Sequence, residues 1–201
     1  MAKKQGIVMG DDGVSASGRR RRILGITLTA LFAALTAAGT FISIPLPFSP
    51  VPIVLQNLFA LLSGLVLGPL LGGAAVAVYL AAGAIGAPVF AGASGGFVHF
   101  LGPTGGFLCG YLFAAAAAGL IAGRPRAGVK TPLWRIVLAS AVGFLVVYAP
   151  GLLRLKAVTS LPWGGVFVAG FLPFLPGDAA KAVAAVIISP RLRKITADIF
   201  D

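Results

Sequence analysis

The stretch RRRRILGITLTALFAALTAAGTFIS, Arg19 to Ser43, decides the class of the fold. Four arginines are followed by an apolar run, and no Asp, Glu, Lys or Arg occurs from Ile23 to Gly123. About 20 consecutive apolar residues suffice to carry a helix across a bilayer. The run Ile23–Ser43 is too long for the core of a secretory signal peptide and leads into more apolar sequence rather than to a cleavage site. It predicts a first transmembrane helix behind a disordered, basic, cytoplasmic leader (residues 1–22). Residues 23–201 are expected to form a single membrane domain with a short cytoplasmic C-terminal tail.

Composition agrees. The chain has 201 residues, of which 58% are hydrophobic and 10% charged, and a mean hydropathy of +1.00. Soluble domains carry about a quarter charged residues. So few polar side chains cannot cover a water-facing surface, and disorder would require the opposite composition. The net charge of +11 would suggest nucleic-acid binding in a soluble protein. Here the cations lie at the ends of the apolar stretch and in short connections, so no basic groove can be built from it. Cations placed this way face the cytoplasm and anionic lipid.

Working outward, six spans are expected at roughly 23–43, 53–68, 70–87, 104–122, 134–153 and 165–189, giving an all-α integral membrane bundle. Pro45, Pro47, Pro50 and Pro52 end the first span. Gly68 and Pro69 make a very short turn between the second and third. Pro88, Pro125, Pro132 and Pro162 punctuate the rest. An even number of spans puts both termini on one side. A cytoplasmic N-terminus collects Lys3, Lys4, Arg19, Arg20, Arg21, Arg22, Arg124, Arg126, Lys130, Arg191, Arg193 and Lys194 inside and leaves Arg154 and Lys156 outside. The positive-inside rule therefore predicts N-in/C-in.

Small residues recur along these helices. Gly102, Gly106, Gly110, Ala114 and Ala118 form one ridge, and Gly64, Gly68 and Gly72 another, which internal packing through close backbone approach explains. Ala30, Ala34 and Ala38 form a row on the first helix. Near the cytoplasmic end of a peripheral helix, such a row could instead be a docking face.

Enzyme chemistry is nearly absent. The chain has no Glu, and Asp178 is the only Asp between the leader and the tail. Nothing in the spacing of Ser94, His99 and Asp178 supports a hydrolytic triad. One Cys and one His give no metal-ligand set, and Cys109 in an apolar run is expected to pack. GRPRAGVKT, Gly123 to Thr131, has one residue too many before Lys130 for a phosphate loop and follows a helix rather than a strand. No acidic relay lies within the helices. Energy for uphill transport must come from a partner. No catalytic residue, metal or cofactor is expected.

Asp178 and Lys181, in PGDAAKA, lie within the last apolar run. An ionisable residue there is a functional-site candidate by default. Their i,i+3 spacing puts them on one helix face, and Pro176 and Gly177 place Asp178 near a positive helix start. They make either an internal ion pair or a polar ligand site, Asp178 accepting ligand N–H groups and Lys181 taking an anion. PVFAGASGGFVHFLGPTGG, Pro88 to Gly106, is expected on the outer side as a binding loop. Its glycines, Gly95 and Gly96 among them, allow close backbone approach, and Phe90, Phe97 and Phe100 supply a lid. His99 reads equally as a ligand contact or an ordinary loop histidine. Gln56 and Asn57 either join helices or contact a ligand. Tyr148 either caps a ligand or belongs, with Trp134 and Trp163, to the interfacial aromatic belt.

Four stretches, SPVPIVLQNL (Ser49 to Leu58), GAPVFAGASGG (Gly86 to Gly96), LGPTGGFLCGY (Leu101 to Tyr111) and FLPGDAAKA (Phe174 to Ala182), together resemble the BioY family, the biotin-binding S-components of energy-coupling factor (ECF) transporters. The resemblance covers nearly the whole chain after the leader, in order. It implies a six-helix bundle in a prokaryotic cytoplasmic membrane that captures biotin near its outer face. It also implies docking on a membrane coupling subunit and two ATPase subunits through small residues of the first helix, a role that Ala30, Ala34 and Ala38 fit. ATP would be used by the partners, not by this chain. Biotin has a ureido ring with two N–H donors and a carbonyl, an apolar thiophane and a carboxylate tail. Asp178 suits the ureido donors, Lys181 the carboxylate, Gln56 or Asn57 the ureido carbonyl, and Phe and Tyr side chains the thiophane. Asp178 and Lys181 could also be exchanged between the two ends. The carboxylate could otherwise rely on a backbone N–H nest or Arg154. The alternatives are an S-component for another vitamin and a solitary channel or facilitator.

Overall fold

The structure, a computed structural model, describes residues 12–200. Its helices are α1 (Asp12–Ala38), α2 (Gln56–Ala84), α3 (Val98–Leu101), α4 (Gly105–Ala122), α5 (Leu133–Thr159), α6 (Trp163–Gly170) and α7 (Leu175–Phe200). A hairpin of β1 (Ser43–Leu46) and β2 (Ser49–Val54) follows α1, and a 3-10 turn (Leu172–Phe174) precedes α7. Among the described residues, five helical segments are long and apolar enough to cross a membrane. The chain is thus a multi-helix membrane protein whose outward side chains, such as Leu31, Leu145, Leu153, Val183 and Ile187, are apolar and exposed. Trp134 and Trp163 are exposed near opposite ends of the bundle, as interfacial anchors are.

α2 is two antiparallel arms rather than one rod. Gly68 has φ +80° and ψ −179°, a conformation open essentially to glycine alone, and Pro69 follows it. The Ser63 hydroxyl donates to the Gly72 carbonyl at 3.1 Å, and the Tyr79 hydroxyl to Gln56 Oε1 at 3.0 Å. In a continuous helix residues 56 and 79 would be about 35 Å apart. The turn read from Gly68 and Pro69 is therefore present. Where the arms cross, a Cβ on Gly72 would lie 2.6 Å from the Cα of Gly64, and one on Gly64 would strike the Ala115 backbone of α4. The second ridge does the same for α4 and α5: a Cβ on Gly110 would lie 2.8 Å from the Val147 carbonyl oxygen, and one on Gly106 would strike Pro150. Both ridges are internal packing, while Gly102 lies in the loop before α4. Gly68→Ala forces a side chain into the strained region, costing about 1–3 kcal/mol; a lowered unfolding temperature in detergent, with secondary structure retained, is the expected reading.

Three boundaries differ from the expected spans. The first helix begins at Asp12, so the arginine cluster is helical; residues 1–11, where Lys3 and Lys4 fall, lie outside the described residues. Residues 43–54, expected as the break between the first two spans together with the residues flanking it, form the hairpin, with Ser43 opposite Val54 and Leu46 opposite Ser49. Both strands of a two-stranded sheet are edges, which is where proline is tolerated. The sixth span is broken: α6 stops at Gly170, Pro173 lies in the following turn, and α7 then runs through Pro190 to Phe200. The expected tail is thus mostly helix. Cys109 is half-buried on α4.

The bundle has two distinct ends. At the terminal end, Arg193 of α7 donates to the carbonyls of Leu65 in α2, Ala122 in α4 and Gly123. Gly25 of α1 lies near Leu71 and Phe200 there. At the other end, the Thr40 hydroxyl after α1 donates to the Val89 carbonyl at 2.8 Å, and Ser49 Oγ of the hairpin to the Ala169 carbonyl of α6 at 2.6 Å. These bonds fasten the hairpin and the 85–104 connection over the bundle. One buried cluster, including Val76, Tyr79, Phe90, Phe107, Tyr111 and Tyr148, lies beneath them; a second, around Leu61, Leu65, Val66, Ala139 and Phe144, fills the terminal half.

Candidate functional site

Restarting the helix at Leu175 places Asp178 in the first turn of α7, where the helix dipole favours a carboxylate. Asp178 and Lys181 are both buried, with 8% and 9% of their surface exposed. Lys181 Nζ donates to Asp178 Oδ1 at 2.9 Å. Asn57 Nδ2 donates to the same oxygen at 2.9 Å, and the Tyr148 hydroxyl donates to Oδ2 at 2.5 Å. Three donors from α2, α5 and α7 thus converge on one carboxylate. A buried ion pair recovers its desolvation cost only with such further hydrogen bonds. Tyr148 is fixed in turn by edge-on packing against Phe107 and Phe171, so it belongs to this cluster and not to the interfacial belt. Asn57 Oδ1 is buried and has no hydrogen-bond partner among the described residues. Lys181 carries three donor hydrogens, one of them directed at Asp178.

Gln56 and Asn57 are adjacent, and a helix turns 100° per residue, so they serve different groups. Gln56 donates from Nε2 to the Tyr111 hydroxyl at 3.1 Å and accepts from Tyr79 through Oε1. It ties the two arms of α2 to α4.

These residues bound two compartments rather than one. A cavity of about 500 Å³ lies under the hairpin and the 85–104 connection, with Gln56, Phe90, His99, Thr104 and Tyr111 on its walls. A much smaller one, about 30 Å³, is lined by Asn57, Tyr148, Asp178 and Lys181. Val51, Pro52 and Val54 of β2, with Phe107 and Tyr111, line both. The strand is therefore the partition between the apolar cavity and the charged cluster. The first volume suits a small organic molecule; the second holds little more than a water.

The loop residues divide as well. Phe90 is 2% exposed and packs edge-on against Tyr79, Phe100 and His99, so it is a wall of the cavity. Phe97 stacks on Phe100 outside it. Gly95 and Gly96 line neither compartment. A Cβ on Gly95 would strike the Ala87 carbonyl, and Gly96, at φ +107°, donates its N–H to the Gly83 carbonyl at 2.7 Å; both shape the loop. Arg154 donates to the Leu101 carbonyl and is not on either wall. The lining residues missed in the sequence include those of the hairpin, whose prolines were read only as helix stops, and Phe107 and Tyr111, while Thr104 lies in the expected binding loop.

Ala30, Ala34 and Ala38 are all exposed, while Ala33 is buried and Ala37 half-buried. The row is an open face of α1, but it occupies the last third of the helix, toward the hairpin end, rather than the cytoplasmic end expected, because α1 stops at Ala38.

Comparison with known proteins agrees with this architecture. A probable biotin transporter BioY of Pyrococcus horikoshii is 43% identical over 168 residues, covering 84% of this chain and 95% of that protein. The biotin transporter BioY of Thermotoga maritima is 40% identical over 166 residues, covering 82% and 93%. The crystal structure of the S-component for biotin from an ECF-type ABC transporter superposes with a TM-score of 0.77 at 30% identity, covering 93% of this chain and 95% of that one. Residues 14–198 match the BioY family profile, a family of transporter components rather than of enzymes, and the chain belongs to the BioY family.

Proposed function

We propose that the chain captures biotin as the substrate-binding component of an ECF-type transporter. One observation within the molecule carries the ligand reading: the buried Asn57–Tyr148–Asp178–Lys181 cluster holds acceptors and a donor side by side. A ureido ring presents two N–H groups and a carbonyl on one small edge. Asp178 and Asn57 Oδ1 suit the two N–H groups, and the remaining Lys181 hydrogens suit the carbonyl. The thiophane and aliphatic chain then lie against Val51, Phe107 and Tyr111, with the tail in the larger cavity near His99 and Thr104.

This arrangement departs from both assignments left open by the sequence, which put Asp178 and Lys181 at opposite ends of the ligand. Asp178 and Lys181 are bonded at 2.9 Å, whereas the ureido and carboxylate groups of biotin stand at opposite ends of the molecule. A pair in direct contact meets one end. Lys181→Met is accordingly expected to weaken biotin and biotinamide, which lacks the carboxylate, by the same factor of about ten or more. A loss confined to biotin in calorimetric titration would return Lys181 to the carboxylate. Because β2 separates the compartments, binding also requires the hairpin to shift.

The cations favour an N-in/C-in orientation in a prokaryotic cytoplasmic membrane, with α2 contributing two crossings to a total of six. Arg19, Arg20, Arg22, Arg124, Arg126, Lys130, Arg191 and Lys194 belong to the terminal end, and Arg154 and Lys156 to the cavity end. By the positive-inside rule this bias favours a cavity that opens outside. The α2 arms, residues 56–67 and 69–84, are about 18 and 24 Å long, short of the 30 Å hydrocarbon core, so the bilayer thins around them or the hairpin completes the crossing. Ala30, Ala34 and Ala38 would dock the membrane coupling subunit, and two ATPase subunits would supply the energy; biotin is cargo, and no cofactor is needed for capture.

Titration of the purified chain with biotin, thiamine and riboflavin tests the ligand. Biotin alone is expected to bind. Binding of either other vitamin without biotin overturns the reading.

A further inference from the structure

A third cavity, about 430 Å³, lies at the terminal end, remote from the ligand compartments. It is an open pocket bounded by the connection of α4 to α5 and the last turns of α7, and Arg126, Lys130, Thr131, Arg191, Arg193 and Lys194 are on its walls. Asp198 is the one acidic residue among them.

Arg193 is 4% exposed. Its guanidinium spans the carbonyls of Leu65, Ala122 and Gly123 and reaches Thr131 Oγ1 at 2.9 Å. It thereby caps the carbonyl ends of two helices. Arg135 adds a second cap, donating to the Ile121 carbonyl at 3.0 Å. Carbonyl dipoles orient these cations without neutralising them. Five cationic residues against one carboxylate leave the cavity strongly positive, and its exposed members Arg126, Lys130, Arg191 and Lys194 are available to an anion.

We infer that this cavity binds the phosphate group of an acidic phospholipid. A phosphodiester offers several acceptor oxygens and one negative charge, which suits guanidinium and ammonium donors converging on a concave wall. Apolar surface at its edge favours a lipid over a free phosphate. Val129 on the wall and Leu133 beside it are exposed, and Ile195 on α7 is exposed next to Lys194. Acyl chains can follow these side chains while the head group stays among the cations. This site requires only that the chain lie in a bilayer, and it does not depend on which ligand fills the outer cavity.

The test uses the full chain in detergent, titrated with phosphatidylglycerol, phosphatidylcholine, sn-glycerol 1-phosphate or inorganic phosphate, with the unfolding temperature as readout. Phosphatidylglycerol is expected to raise it saturably, and phosphatidylcholine is not. The triple variant Arg126→Gln/Lys130→Gln/Lys194→Gln is expected to lower the apparent affinity for phosphatidylglycerol about fifty- to a hundredfold, with biotin binding unchanged. Arg19→Gln/Arg20→Gln/Arg22→Gln removes the same charge from α1 and is expected to keep the response. Equal loss in both variants means diffuse attraction and overturns the site, as does a triple variant that responds normally. An equal response to the soluble phosphates at matched concentration overturns the lipid source. Should the triple variant not fold, Lys194→Gln alone is expected to weaken binding about fivefold, and an unchanged response in it overturns the site.

Discussion

Asp178→Asn is expected to weaken biotin binding about ten- to a hundredfold and to lower the unfolding temperature, and adding Lys181→Met is expected to restore stability while binding stays lost. A hydrogen bond to a charged group contributes roughly 1.5–3 kcal/mol, which sets the first figure. The second effect arises because Asp178 is the counter-charge of a lysine with only 9% of its surface exposed. Removing one partner of a buried pair leaves the other uncompensated, at about 3–5 kcal/mol, whereas replacing both with uncharged groups is often neutral. The double variant therefore separates a structural role from a binding role. Titration calorimetry and thermal unfolding on the single and double variants decide it. If the single variant melts lower but binds normally, the cluster is an internal ion pair with no ligand role. If the double variant regains binding, the ligand does not need the charges.

The pair itself was legible, because i,i+3 spacing fixes two side chains on one helix face and few other residues in so apolar a sequence could hold a ligand. Its donors were less so. Asn57 and Tyr148 reach Asp178 from 121 and 30 positions away. Sequence alone could name the amides Gln56 and Asn57 but not tell which would face α7; the 100° between them sends one to two tyrosines and the other to the carboxylate. The hairpin was hidden for a different reason. Pro45, Pro47, Pro50 and Pro52 signal where helix stops, yet proline is depleted in strands, so the same residues argue against the structure that they occupy. The turn at Gly68 was clear because no other residue type suits its backbone and Pro69 follows it. The partition was invisible, since it depends on where β2 settles once the helices have packed. Gly95 and Gly96 show the limit of reading glycines as contacts: they make room for backbone, not for ligand.

Replacing Ala34 with tryptophan is expected to leave biotin binding in detergent intact and to abolish ATP-dependent uptake in the presence of coupling subunits. Ala34 is exposed in one row with Ala30 and Ala38, while the neighbouring Ala33 is 7% exposed and packs inward. A bulky side chain at position 34 thus projects from the bundle and does not disturb its core. It lines neither ligand compartment, on a helix whose other face meets α2 and α7. Helices in lipid associate by close approach over small residues, since apolar burial gives no advantage there. A tryptophan in the middle of the row holds an incoming helix off by several ångströms and forfeits that packing. Binding measured in detergent and uptake measured in reconstituted vesicles should therefore separate completely. Surviving uptake, or uptake with no ATPase present, would mean that the chain works alone as a facilitator. Loss of binding in detergent would mean that the open face of α1 is coupled to the ligand compartment through the bundle itself.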